Sequence, residues 1–220
     1  IHISLYNTRT CFEGIYMRIL KNITHRHNKR RAQVIQSLLG DVKGKSVLDI
    51  GCAIELNFAD FMNLNSGKYV GTDRDSRIKK ANNKWAKNPM ISFEVFDANK
   101  TVPTKWLKKF DIVILAFVLH HLKHPLWSLD EITKTLRPGG SLLICEENPK
   151  SPLWKMKQKI RKHLLGKKSR QIVITEQHIS KSVLLEMLEQ RCNIDSIINL
   201  GLNVLPNKYK RTYIVKVTPK

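Results

Sequence analysis

An α/β domain built on a doubly wound, mostly parallel seven-stranded sheet is the fold this sequence predicts, and three observations predict it. Short apolar runs recur from residue 45 onward, SVLDI, KYVGTD, ISFEVFD, FDIVILAF and GSLLICEE, separated by stretches long enough for helices. The runs are apolar almost throughout rather than alternating, as expected of parallel strands covered on both faces. Two more runs, near Ile194 to Leu200 and in RTYIVKVT, bring the strand count to seven. Alternating strands and helices place the ligand crevice at the carboxyl ends of the strands.

The elements follow in chain order. Residues 1–44 read as an N-terminal helical cap, with one helix around Phe12 to Leu20 and another through Arg31, Val34, Ile35, Leu38 and Leu39 that stops at Gly40. Arg18, Lys21, Arg26, Lys29, Arg30 and Arg31 give this cap an expected basic face. Residues 45–220 form the main domain, interrupted at about 149–175 by a basic lid insertion. Asn148 to Thr175 hold nine Lys or Arg and no acid. Within that insertion Leu153, Met156, Ile160 and Leu164 share one helical face, with Lys155, Lys157, Lys159, Arg161 and Lys162 around the others. Trp154 suits an interfacial position there. A helix through Val183 to Gln190 separates the lid from the last two strands.

Composition narrows the class. A chain of 220 residues with 42% hydrophobic and 26% charged residues is globular and holds one substantial core. The longest apolar stretch, Ile112 to Leu122, contains His120 and His121 and falls short of the roughly 20 residues that a membrane span requires. Cys11, Cys52, Cys145 and Cys192 are scattered, without metal-ligand spacing, which predicts reduced thiols, no metal and a cytoplasmic location. The chain begins with Ile1 rather than Met, so further N-terminal residues are expected. Lys and Arg number 39 against 18 Asp and Glu, a net charge of +21. That excess suits a polyanionic neighbour, whether nucleic acid, an anionic membrane surface or a phosphorylated substrate, and equally a generally basic proteome.

The chemistry begins at Asp49-Ile50-Gly51, where a strand ends in an acid and a glycine, and continues at Asp73, a second strand-end acid 22 residues after Gly51. A glycine lets the chain turn closely against a ligand, and an ionised carboxylate accepts hydrogen bonds from both hydroxyls of a ribose. This is the arrangement of a nucleoside-binding α/β unit.

Four ordered segments, VLDIGCAIEL, YVGTDRDS, FEVFDANK and FDIVILAFVLHHL with LRPGGSLLICEENP, resemble the class I, Rossmann-like S-adenosylmethionine (SAM) methyltransferases, particularly the broad type 11 small-molecule group. The resemblance covers residues 45 to 148. It implies SAM as cofactor, with S-adenosylhomocysteine (SAH) as product. It also implies that Asp49 orders the first loop, that Gly51, Cys52 and Ala53 lie against the methionine part, and that Asp73 takes the ribose. Arg74 would flank the adenine, Asp97 and Ala98 would meet its edge, and Ala116 and Phe117 would close the site beneath the sulfonium. Two positions depart from the pattern: the family's further glycines are replaced by Ala53 and Glu55, which leaves a non-catalytic scaffold as one reading of the same fold.

SAM carries its methyl already activated, so few catalytic groups are needed. His120 and His121 are the candidates, because an imidazole accepts a proton near neutral pH and this pair follows the fourth strand. A packing role at the start of a helix is the other reading of the pair, and His178 is a further candidate from across the crevice. The sequence AFVLHH lacks the Asn/Asp-Pro-Pro-aromatic motif that grips planar base amines. The expected activity is therefore methyl transfer to a small-molecule or lipid-type acceptor. RNA- or DNA-directed transfer through the basic surface is the alternative, and the lid gives the chain an expected peripheral contact with anionic membrane.

Overall fold

The computed structural model describes residues 29–52, 58–74, 78, 85, 87–164, 179–201 and 206–220, excluding the side chains of 157 and 160–164. The expected helix at Phe12 to Leu20, the loop positions Ala53 and Glu55, the later part of the basic insertion and His178 lie outside the described residues.

Helix α1 runs over 29–39 and ends where Gly40 takes a φ of 64°. Arg31, Ile35 and Leu39, spaced four apart, are its buried face. Strand β1 (Ser46–Ile50) follows, then α2 (Ala59–Leu64), β2 (Lys68–Asp73), β3 (Ile91–Val95) and β4 (Phe110–Ala116). Helix α3 (Pro125–Thr133) opens with proline in its first turn, where no backbone N–H is needed. Strand β5 (Leu136–Glu147), α4 (Pro152–Leu164), α5 (Lys181–Glu189), β6 (Cys192–Leu200) and β7 (Thr212–Pro219) complete the order. The Ser180 hydroxyl caps α5 by accepting from Val183 N.

The seven strands form one sheet in the order β3-β2-β1-β4-β5-β7-β6. Pairs from β3 through β5 are parallel, and β7 alone runs against its neighbours β5 and β6. The chain builds outward from β1 to β3 and then crosses back to β4, so the switch point lies between β1 and β4. One sheet face packs Leu48, Ile50, Val113, Leu115, Leu142 and Ile144 under α3 and α5; the other packs Val47, Tyr69, Ile112, Ile114, Leu143 and Ile214 under α1 and α2. Burial on both faces is why the strands read as continuous apolar runs. Strand β6 sits on an edge, with Asn193, Asp195 and Ile197 exposed along it.

Helix α4 forms where the basic insertion begins. Of the expected apolar stripe, Leu153 is half-buried and Met156 44% exposed, while Gln158 is buried; the side chains of 160 and 164 lie outside the described residues. At its start Ser151 N donates to Asn148 O and Lys155 N to Ser151 O. None of the helices among the described residues is long and apolar enough to cross a membrane.

Candidate functional site

Three strand ends converge at the switch point. Gly51 leaves β1 with a φ of 70°, Asp73 ends β2 and Ala116 ends β4. Between them opens a cavity of about 290 Å³ to which Gly51, Asp73, Arg74, Ala98, Ala116 and Phe117 all contribute. His121 lines it as well, and Phe96, Val118 and Leu122 supply apolar wall that the sequence did not single out.

The remaining expected residues stand behind this surface. The Asp49 carboxyl is buried, and its Oδ2 accepts from the Tyr69 hydroxyl at 2.8 Å, while Oδ1 has no hydrogen-bond partner. Burial, reinforced by the charge of Asp73 and opposed by the Tyr69 bond, pushes its pKa up to about 8. Cys52 is buried too, and its N–H donates to Thr72 O at 2.9 Å, stitching the loop to β2. Burial, with Asp49 and Asp73 nearby, pushes its thiol well above the ordinary range, so it acts as an inert packing group. Asp97 turns away from the cavity lining: its Oδ1 accepts from Asn99 N at 3.0 Å and from Asn99 Nδ2 at 2.9 Å. Partial burial works against ionisation there, but the Asn99 bonds prevail and lower its pKa. Asn99 in turn accepts from Lys123 N at 2.8 Å, tying the loop after β3 to the loop after β4.

The two histidines have different surroundings. A single 3-10 turn, Leu119–His121, follows β4. The His120 ring lies against Glu146, with Nδ1 and Oε2 2.7 Å apart, and Leu119 N donates to the other Glu146 oxygen at 2.9 Å. Glu146 is 2% exposed. The His121 ring centroid is 4.1 Å from that of His120, and His121 reaches the cavity. Glu146 was missed in the sequence, although an acid within the apolar run LLICEE was a signal that something must partner it.

Phe117 takes a φ of 61°, a left-handed conformation that aromatic residues rarely adopt and that clusters at functional sites. The Arg31 guanidinium carbon sits 4.1 Å above its ring. Arg31 was expected on the basic outer face of the cap, yet it is only 6% exposed. Its spacing of four from Ile35 puts it on the buried side of α1, where an aromatic face receives the cation.

A glycine turn and a strand-end carboxylate at the switch point of this sheet define a nucleoside-binding, doubly wound domain. Comparison with known proteins carries that further. A family model described as a methyltransferase domain matches residues 23–191. An O-methyltransferase of ubiquinone biosynthesis from Alkalilimnicola ehrlichii is 26% identical over 137 residues, covering 59% of this chain and 53% of the relative. A SAM-dependent methyltransferase structure from Mesorhizobium loti superposes with a TM-score of 0.66 at 16% identity, covering 86% of this chain and 96% of the other. The N-methyltransferase NodS of Bradyrhizobium japonicum, solved with SAH, gives 0.61 at 17% identity over 86% and 85% of the two chains. The chain belongs to the class I, SAM-dependent methyltransferase family. It spans little more than half the length of the curated relatives it matches.

The cavity suits SAM on three counts. Asp73 presents a carboxylate acceptor to the cavity, Phe96, Ala98 and Leu122 form an apolar wall suited to a purine, and Gly51 turns without a side chain at the rim. The described residues contain no cluster of three metal-ligating side chains.

Proposed function

We propose that this chain transfers a methyl group from SAM to a small-molecule or lipid-type acceptor, with His120 as the base. The contact between His120 and the buried Glu146 carries this reading. With Nδ1–H donated to the carboxylate, the basic nitrogen is Nε2, the tautomer is fixed, and the imidazolium formed on proton uptake has a counter-charge in place. SAM supplies, when bound, a methyl group activated on a sulfonium. Asp73 would hold its ribose, Arg74 and Ala98 its adenine, and Gly51 with Ala116 and Phe117 the remainder. His120 takes the proton that the acceptor sheds, and His121, whose ring is tilted against it at the cavity rim, shields that proton from water.

A second hollow supports an acceptor with an apolar part. Leu126, Trp127, Ile179, Val183 and Met187 line an open groove of about 800 Å³ that shares Asn99 with the cavity. The O-methyltransferase activity of the ubiquinone relative agrees with an oxygen acceptor of this kind.

Calorimetric titration with SAM and SAH tests the reading first, and the expected result is saturable binding of both. Failure of either to bind at about 1 mM removes the enzymatic reading and favours a scaffold. With an acceptor in hand, His120→Gln should lower kcat by roughly 100-fold or more, and an unchanged rate would remove His120 from the chemistry.

The exposed Lys155, Met156 and Lys159 of α4 favour a second role, contact with an anionic membrane surface. Equal sedimentation with neutral and anionic vesicles would rule it out.

A further inference from the structure

Beside the cavity, at the carboxyl end of β5 and the amino end of β7, the fold buries more polar groups than it pairs. Arg31 is 6% exposed, Arg211 7%, Ser151 0% and Gln158 6%. The Nε atoms of both arginines, the Ser151 hydroxyl and both amide atoms of Gln158 lack hydrogen-bond partners. Arg211 Nη2 lies 3.5 Å from Glu147 Oε1, and the charges of Glu147 and Arg211 both act on Arg31. Ser151 joins the group through Asn148, whose N–H donates to Arg211 O at 2.8 Å and whose carbonyl accepts from Ser151 N at 3.0 Å. Gln158 lies two helical turns beyond Ser151 on the same face of α4.

Glu147 thus contacts Arg211 and reaches Arg31 through its charge, while Arg31 packs on the Phe117 ring with its Nε lacking a hydrogen-bond partner. Burying such groups is costly unless an acceptor completes them. Burial lowers the pKa of Arg31, the sign of a desolvation that its surroundings do not fully offset. A planar guanidinium matches a carboxylate or phosphate through two parallel bonds. The position is apt as well, because Phe117 both lines the cavity and carries Arg31 on its ring.

We propose that this cluster is the anion subsite of the methyl acceptor, in which Arg31, with Arg211 beside it, binds a carboxylate or phosphate of the molecule to be methylated. The inference rests on the methyl-transfer reading above and adds to it the chemical class of the acceptor: an apolar or aromatic body bearing an acidic group. Ser151 and Gln158 supply neutral hydrogen bonds to the same group.

The test begins with the full chain saturated with SAH. Inorganic phosphate and benzoate are then titrated by calorimetry and thermal shift, and vesicles of phosphatidylcholine with phosphatidic acid are added separately. The expected result is saturable binding of at least one soluble anion, weakened by about tenfold or more in Arg31→Met and less so in Arg31→Lys, with SAH affinity unchanged. Arg31→Met should also melt no lower than the wild type without anion, since it removes a buried charge that lacks a full partner. A purely structural arginine would instead lower the melting temperature in both variants. Vesicle binding that depends on Arg31 would support the subsite with a lipid headgroup as the source of the anion, and soluble anion binding alone would support a free small molecule. Equal anion affinity in wild type and Arg31→Met, or loss of SAH affinity in place of anion affinity, overturns the proposal. SAH binding without anion binding defeats the subsite alone, whereas Arg31-dependent anion binding without SAH binding defeats the cofactor reading alone.

Discussion

Gly51 carries two separable constraints, and a double-mutant cycle with Val118 resolves them. Its φ of 70° lies in the left-handed region, and a Cβ added there would stand 2.4 Å from Val118 Cγ2. The first constraint costs about 1–2 kcal/mol for any L side chain. The second is overpacking, about 1–3 kcal/mol, because Val118 is only 8% exposed and its branched side chain has little room to turn. Gly51→Ala should therefore destabilise the fold by about 2–5 kcal/mol. In a Val118→Ala background the clash disappears and the backbone penalty stays, so the same change should cost only about 1–2 kcal/mol. The expected coupling is about 1–3 kcal/mol, read from urea unfolding of the four proteins followed by tryptophan fluorescence. Additivity within about 0.5 kcal/mol would refute the steric part of the argument.

Three further outcomes follow from the same region. Asp49 is raised by burial from 3.8 to about 8, so the folded state keeps a proton that the unfolded chain releases; its stabilising contribution is full below about pH 4 and is lost as pH rises toward 8. Wild-type stability relative to Asp49→Asn should thus fall by about 1.4 kcal/mol per pH unit across that window, and a pH-independent gap in urea midpoints would contradict it. Tyr69→Phe strips the Asp49 carboxyl of its hydroxyl donor and should cost about 1–3 kcal/mol at neutral pH, measured in the same unfolding assay. Glu146→Gln keeps the bond from Leu119 N but removes the counter-charge of His120; with an acceptor identified, kcat should drop at least about tenfold while SAH affinity in calorimetry stays put.

What the sequence disclosed depended on how local the signal was. Strands β1 and β2 coincide with the runs SVLDI and KYVGTD because burial on both faces writes an apolar run directly into the chain. Gly51 and Asp73 were legible for a similar reason: Gly51 directly follows β1 and Asp73 ends β2, so each marks where an apolar run stops. Strand β5 begins earlier than expected, at Leu136, since Arg137 to Gly139 continue the strand at an exposed end where no apolar pattern marks them. The pairing of His120 with Glu146 spans 26 residues and exists only because Ala116 lies opposite Cys145 in the β4–β5 register. Arg31 looked like one cation among many, and only the docking of α1 on the sheet distinguishes it from Arg30, which is exposed. Cys52 and Asp97 sit at the expected strand ends, but local backbone bonds turn both inward or aside from the cavity.

The left-handed residue at the end of β4 explains how one short segment serves both halves of the site. Along β4 the side chains alternate, Ile112, Ile114 and Ala116 toward the face covered by α1, Val113 and Leu115 toward the face covered by α3 and α5. Continued alternation would send Phe117 to the α3 side and Val118 to the α1 side. The opposite is seen: Phe117 packs with the α1 cluster and Val118 with the other. The positive φ of Phe117, held by its N–H to Cys145 O at 2.8 Å, thus shifts the pleat by one residue. That shift puts an aromatic platform under Arg31 on one face and starts the Leu119–His121 turn toward Glu146 on the other. The strain, about 1–3 kcal/mol for such a conformation, is the cost of seating Arg31 on a residue that lines the cavity while His121, beside the His120–Glu146 pair, also reaches it.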